Sequence, residues 1–207
     1  MPKTLTKSSN YIQYIIYILF FGVRCVRVIS GLSRGRKLIA PKGLDTRPTT
    51  DRVKESMFNL IIPYIPAKNV LDLFAGSGAL GIEALSRGSE HCVFVDFGKE
   101  ALSVVRQNLD LSKQADKAEV FSSDSLAFLS RTSSSFDLIF LDPPYNKGLL
   151  TEAVRLIHQK NLLSENGIIV AESEVDGEVP PNDCFEILKQ ARYGKTTIFV
   201  LARKSWR

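Results

Sequence analysis

The sequence predicts an α/β fold: a doubly wound, mostly parallel sheet with a C-terminal antiparallel hairpin and a small basic N-terminal hairpin and helix. Three observations carry this reading. Strand-like apolar runs alternate with helical stretches from about residue 70 onward. Those runs are almost continuously apolar, the pattern of parallel strands covered on both faces. The chain has 207 residues, 44% apolar and 24% charged, enough to bury a core without disulfide or metal staples.

Taken in order, the first segment fits poorly. Residues 11–23, "YIQYIIYILFFGV", are an apolar run of 13 with basic residues on both sides. A membrane-spanning helix needs about 20 apolar residues, and no small-residue cleavage site of a signal peptide is evident. Residues 1–26 therefore read as an extension outside the functional domain, from an upstream start codon. A membrane-surface anchor is the alternative. Next, "RVISG" (27–31) and "RKLIA" (36–40) read as short strands around the basic turn "LSRG". "GLDTRPTT" is a loop. "DRVKESMFNLII" (51–62) then sets Val53, Met57, Leu60 and Ile61 on one helical face. Thr50 or Asp51 can cap this helix, and Pro63 and Pro66 end it. A boundary near residue 66 separates this basic part (27–66) from the rest (67–207).

Beyond it, "VLDLF" (70–74), "CVFVDF" (92–97), "AEVFS" (118–122), "FDLIFL" (136–141) and "GIIVAES" (167–173) read as strands. Helical stretches fall between them, at about 78–87, 98–112, 124–130 and 148–160. Finally "FEILKQAR" and "TTIFVLAR" flank "YGK", a closing antiparallel hairpin.

Charge and composition narrow the function. Residues 1–60 hold 11 Lys and Arg against 3 Asp and Glu; the remainder holds 16 against 19. A basic arm on a near-neutral body suits a polyanion partner. Cys25, Cys92 and Cys184 are far apart and lack metal-site spacing, and His91 and His158 are the only histidines. That leaves little material for a disulfide framework, a structural zinc site or a histidine-based hydrolase.

Two motifs carry chemistry. The first is "VLDLFAGSGALG" (70–81), a strand, a glycine turn and a helix. Gly76, Gly78 and Gly81 satisfy G-x-G-x-x-G, and Asp96 ends the next strand 20 residues after Gly76. Alone this is equally a tight turn, a nicotinamide site or an S-adenosylmethionine site. Asp72 at the mouth of the loop favours S-adenosylmethionine, because a carboxylate there can receive a cationic amino group but repels a pyrophosphate. The second motif is Asp142-Pro143-Pro144-Tyr145, after the strand "FDLIFL". An exocyclic amine on a nucleobase is a poor nucleophile because its lone pair is delocalised into the ring. The Asp142 carboxylate and the Pro143 carbonyl can accept its two N–H bonds and free the lone pair. Consecutive prolines keep those acceptors aimed. Tyr145 offers a face on which the base stacks.

With these residues in view, the chain resembles a known family. "DLFAGSGALG" with "DPPY" is similar to class I S-adenosylmethionine-dependent amino-methyltransferases, with a seven-stranded Rossmann-like sheet. "RVISGLSRGRKL…RPTTDRVKESMFN" resembles, more narrowly, the bacterial guanine-N2 methyltransferases of small-subunit (16S) ribosomal RNA, over roughly Arg27 to Arg203, and "ESE" (172–174) fits as well. The resemblance implies a cofactor site at Asp72, Phe74, Ala75, Gly76, Ser77, Gly78, Asp96, Asp124 and Ser125, and catalysis at Asp142, Pro143, Pro144 and Tyr145. Tyr145 stands where phenylalanine is also common. The N-terminal extension lies outside the family pattern.

From the residues themselves, Arg34, Arg36, Lys37, Arg47, Arg52 and Lys54 are candidate phosphate contacts. Thr49, Thr50 and Asp51 cap the helix or meet the target nucleotide. The expectation is a cytoplasmic, monomeric RNA methyltransferase that needs no metal and makes no membrane contact. Its substrate is ribosomal RNA, naked or in an assembling small subunit. An adenine-N6 methyltransferase acting on DNA or RNA is the nearest alternative, because the same corner suits adenine's amine. A nicotinamide oxidoreductase would rest on the glycine pattern alone, and an RNA-binding module without activity on the basic arm alone.

Overall fold

A computed structural model describes residues 26–40, 51–144, 148–175, 177, 179–181, 183 and 185–204. Residues 1–25, Cys25 among them, and Arg47, Thr49, Thr50, Tyr145 and Cys184 lie outside the described residues. Val26, the last residue assigned to the N-terminal extension, belongs instead to the fold, where it pairs with Leu38 and is buried.

Strands β1 (Val26–Arg27) and β2 (Lys37–Leu38) pair antiparallel, and helix α1 spans Asp51–Leu60. The main body follows as β3 (Asn69–Asp72), α2 (Ala79–Ser86), β4 (His91–Asp96), α3 (Lys99–Ser112), β5 (Ala118–Ser122), α4 (Ser125–Arg131), β6 (Phe136–Leu141) and α5 (Leu149–Gln159). Three strands close the chain: β7 (Leu163–Glu174), β8 (Phe185–Tyr193) and β9 (Thr196–Arg203).

Seven strands form one sheet in the order β5-β4-β3-β6-β7-β9-β8. The first five run parallel, whereas β9 is antiparallel to β7 and β8 to β9. The predicted tail hairpin is present, turning at Gly194 with φ +63°. Strand order reverses at β3, which has β4 on one side and β6 on the other. A crevice at such a reversal, outside the carboxyl ends of the strands, is where open α/β sheets hold ligands.

Alternating strand residues feed two cores. Val70, Phe94, Leu138, Phe140, Ile168 and Val200 face one cluster; Leu71, Val95, Ile139, Leu141, Ile169 and Leu201 face the other. Helices α4 and α5 cover the second face through Leu129, Leu150, Ala153, Val154 and Ile157. The first face is covered by α2 and α3, and also by the N-terminal part. Val26, Val28, Leu38, Met57, Phe58 and Ile61 pack in the same cluster as the sheet, so residues on both sides of position 66 share one core.

Two local details depart from the expected pattern. The N-terminal strands are two residues long rather than five, because their flanking backbone groups bond to side chains. Ile29 and Ser30 donate to the Glu83 carboxylate (2.7 and 3.0 Å), and Ser33 N–H donates to Ser86 Oγ (2.9 Å). In α1 the buried face is rotated from the expected one: Lys54, Met57 and Phe58, with Ile61 just beyond the helix, are buried, while Val53 and Leu60 are half-buried. A lysine occupies a core position because Glu83 lies opposite it, at 3.4 Å.

Candidate active site

The two sequence motifs, 61 or more residues apart, become neighbours. Asp72 ends β3 and pairs with Phe140 of β6, two positions before Asp142. The glycine turn is pinned to both adjacent strands: Leu73 N–H donates to Phe140 O (3.2 Å) and Ala75 N–H to Val95 O (3.0 Å). Gly76 and Gly78 have φ of +54° and +76°, a conformation that glycine adopts without steric cost. Gly81 serves another purpose. A Cβ there would lie 2.4 Å from Phe94 Cε1 and 2.7 Å from Cys92 Sγ, so its bare backbone lets α2 lie directly on the sheet.

Asp72 is buried, and its Oδ2 accepts the Gly81 N–H at 3.0 Å. Gly78, the N-cap of α2, has no side chain to offer. The strand carboxylate therefore satisfies a free donor in the first turn of this helix. Burial pushes the Asp72 carboxyl up from 3.8 to about 7; the Gly81 hydrogen bond opposes the rise and Asp96 adds to it. Asp142 is also raised well above the usual range, by burial first and then by the negative charges of Glu172 and Asp72. Glu172 stands beside Asp142 because Ala171 pairs with Leu141. It accepts a hydrogen bond from Thr196 Oγ1 at 3.3 Å. Three carboxyls from three adjacent strands thus crowd the strand ends.

Asp96 is oriented by two backbone donors, Gly76 N–H to Oδ2 (2.9 Å) and Gly98 N–H to Oδ1 (2.8 Å). Each oxygen retains a lone pair that can accept a hydroxyl. Asp124 caps α4 through Ala127 N–H (2.9 Å), and Ser125 behind it is buried. Ser123 N–H donates to Asp96 O (3.2 Å), which fixes this end beside the glycine turn. Pro143 is buried and Pro144 exposed at the corner itself.

The basic candidates scatter. Arg34 and Arg36 are exposed in or beside the hairpin turn, Lys37 on β2 and Arg52 on α1. The turn is held at the far end of α2, where Leu32 N–H donates to Ser86 O (2.8 Å). At 1.5 Å per residue, the helix carries that turn about 12 Å from the glycine loop. Lys54 is corrected: it is fully buried, donates to Arg27 O (2.5 Å), pairs with Glu83, and is withdrawn from any phosphate. Asp51 is held by Arg27 Nε at 2.7 Å. Both histidines have structural surroundings, His91 near Glu119 (3.3 Å) and His158 edge-on to Phe185.

Two residues went unread in the sequence. Phe97, directly after Asp96, is 80% exposed at the ligand end of the sheet. An apolar residue following a strand-ending acid was its signal. Asn108 is buried in mid-α3 and bonded to the glycine loop. Its signal was a polar side chain within that helix's apolar stripe.

The family described as "Conserved hypothetical protein 95" matches residues 26–202. The chain belongs to this family. A Bacillus subtilis relative, YlbH, provisionally named an rRNA methyltransferase, is 43% identical over 86% of this chain and 100% of its own length. Ribosomal RNA small subunit methyltransferase D of Haemophilus influenzae is 40% identical over 82% of this chain and 89% of its own. The solved structure of yhhF from Escherichia coli, described provisionally as a methyltransferase, superposes with a TM-score of 0.76 at 36% identity. That match covers 88% of this chain and 99% of that one. The family's fold is the one seen here, a mostly parallel sheet with an antiparallel C-terminal pair. Among the described residues no helix is long and apolar enough to cross a membrane, and no His, Cys, Asp and Glu are grouped to hold a metal ion.

Proposed function

We propose that this protein transfers a methyl group from S-adenosylmethionine to the exocyclic N2 amine of a guanine in small-subunit ribosomal RNA. One observation carries the reading: the glycine turn and the Asp142-Pro143-Pro144 corner are adjacent across β3 and β6. The site suits the cofactor on its own chemistry. A Cβ at Gly76 would meet nothing nearer than Phe74 O at 3.9 Å, so the loop presents open space. The crowded carboxyls of Asp72, Asp142 and Glu172 favour a cationic ligand. Asp96 and Phe97 offer hydroxyl acceptors and an apolar face.

S-adenosylmethionine supplies an electrophilic methyl on a sulfonium centre. The protein's part is to prepare the amine. Asp142 and the Pro143 carbonyl accept the N–H bonds and turn the lone pair outward. Pro143 and Pro144 hold that geometry without reorganisation. The raised proton affinity of Asp142 also suits it to take the proton that the amine sheds as the N–C bond forms. Tyr145, next in the chain, supplies the stacking face. A base in paired RNA has to be extruded to reach the corner. Arg34, Arg36, Lys37, Arg47 and Arg52 serve as phosphate contacts. Residues 27–66 form the RNA-facing part and residues 67–207 the catalytic part of a cytoplasmic monomer, which acts on ribosomal RNA, naked or in an assembling subunit.

Radiolabelled methyl transfer to ribosomal RNA, free and in the small-subunit particle, followed by nucleoside analysis, tests this reading. N2-methylguanosine is expected, and the comparison of the two substrates shows which state of the RNA is modified. Asp142→Ala is expected to lower turnover about 100-fold or more while retaining cofactor binding. Label in N6-methyladenosine would instead support the adenine alternative, and intact turnover in Asp142→Ala would remove Asp142 as an acceptor.

A further inference from the structure

Asn108 is the residue on which the cofactor loop and the basic hairpin meet. It lies on the buried face of α3, fully buried, two turns beyond Ala101. Its Oδ1 accepts the Ile39 N–H at 2.7 Å, and its Nδ2 donates to Ile39 O at 2.9 Å. The carboxamide thus pairs with the backbone of Ile39 as a neighbouring strand would. Its second N–H donates to Ser77 O at 2.8 Å, in the glycine turn. One side chain therefore spends both donors and an acceptor joining three elements. Ile39 directly follows β2, which carries the exposed Lys37 and pairs with Arg27. Ser77 lies between Gly76 and Gly78, both at positive φ. In mid-helix a carboxamide is a poor choice for helix propensity, and a valine or leucine would fill the volume, so the bonds account for it.

We infer that Asn108 is a positioning residue that couples cofactor binding at the glycine turn to RNA binding by the hairpin. The inference rests on the proposed methyltransferase reading. A ligand that orders the turn fixes the Ser77 carbonyl, hence the Asn108 carboxamide, hence the Ile39 backbone. A hairpin already held costs RNA less ordering entropy when it binds. Linkage makes the effect reciprocal: RNA tightens cofactor binding by the same factor. The hairpin's other attachments do not pass through the turn. Ser33 Oγ donates to Ser112 O at 2.7 Å, and Ile29 and Ser30 donate to Glu83. They anchor the hairpin without reporting on the cofactor.

The test measures affinity for a small-subunit ribosomal RNA fragment with and without saturating S-adenosylhomocysteine, which has no methyl to transfer. The wild-type chain is expected to bind RNA about fivefold or more tightly with the ligand. Asn108→Ala and Asn108→Asp are expected to lose that ratio, the latter because it sets a carboxylate against two carbonyls. Ser33→Ala is expected to keep the ratio even where affinity falls in both states. A second readout needs no variant. In the wild-type chain the ligand is expected to slow hydrogen exchange at the Ile39 amide, not only in the glycine turn. A wild-type ratio near one, a ratio that survives in folded Asn108 variants, or unchanged exchange at Ile39 overturns the inference. Failure of the wild type to bind S-adenosylhomocysteine at all would instead overturn the methyltransferase reading.

Discussion

Asp72 has two demands on one carboxyl, and pH separates them. Its hydrogen bond from Gly81 requires only an acceptor oxygen, which a protonated or amide side chain also provides. Its charge, by contrast, is suppressed by burial until about pH 7. In the unfolded chain the same group ionises near 3.8. As pH rises between these values, the folded cofactor-free protein keeps a proton that the unfolded chain releases. That stability contribution is therefore lost as pH rises from about 4 to about 7. A cation in the crevice reverses the balance by favouring the carboxylate. Cofactor binding should release protons near neutrality, and affinity should rise with pH through about 7. Asp142, raised in the same direction, adds to the effect. Calorimetry in buffers of different ionisation enthalpy measures the released protons directly. Asp72→Asn keeps the cap and should reduce the release without abolishing it. Affinity that stays flat from about pH 6 to about pH 8 would show that no buried carboxyl senses the cofactor.

At the level of elements, the apolar runs of β3, β4, β6 and β9 were legible because those strands are buried on both faces. By contrast β5, at the sheet edge, has no buried residue and shows only as a short strand-like run. The predicted stretch 136–141 coincides with β6, and 118–122 with β5. The glycine turn was legible from spacing, and its neighbour relation to Asp142 was not, since strand order is set by crossovers rather than by local pattern. The N-terminal part was harder because its local signals answer to partners far along the chain. Lys54 reads as a surface lysine until Glu83 is placed against it. Burial lowers the Lys54 pKa, and the Glu83 carboxylate works against that lowering. The two residues are unequal in consequence. Glu83 accepts from Ile29, Ser30 and Arg87 as well as pairing with Lys54. Glu83→Ala strands a buried ammonium and two backbone donors, for an expected loss of about 3–5 kcal/mol. Lys54→Met leaves a carboxylate that still has three donors, for an expected loss of about 1–2 kcal/mol. Urea unfolding of both variants gives the comparison. Equal losses would mean that the ion pair alone, and not the carboxylate's hold on the hairpin, secures this part.

Across the whole molecule, the basic turn and the catalytic corner lie at different ends of the sheet's layers. The corner is at the carboxyl ends of β3 and β6, whereas Gly31 and Leu32 rest on Ser86 at the far end of α2. A Cβ at Gly31 would lie 1.7 Å from Ser86 O, so the turn has no slack to swing toward the corner. Leu32, 82% exposed, and Arg34 beside it therefore face outward where the turn rests on α2, while the Ile39 end of the hairpin is held through Asn108. RNA that reaches both places has to cover at least the length of α2, about 12 Å from the glycine loop to the turn. It passes outside that helix, because the residues from Leu80 to Ser86 are buried. Contacts at the turn then add to affinity without touching the reacting amine. Arg34→Ala is expected to weaken RNA binding uniformly and to lower the salt slope of log affinity by about 1. Turnover at saturating RNA should hold, so the change appears in KM and not in kcat. A short RNA that carries the target base but cannot span the distance should bind the wild type and the variant alike. If Arg34→Ala instead lowers kcat, or the short RNA still distinguishes the two proteins, the turn acts at the corner and the RNA path drawn from the corner to the turn is wrong.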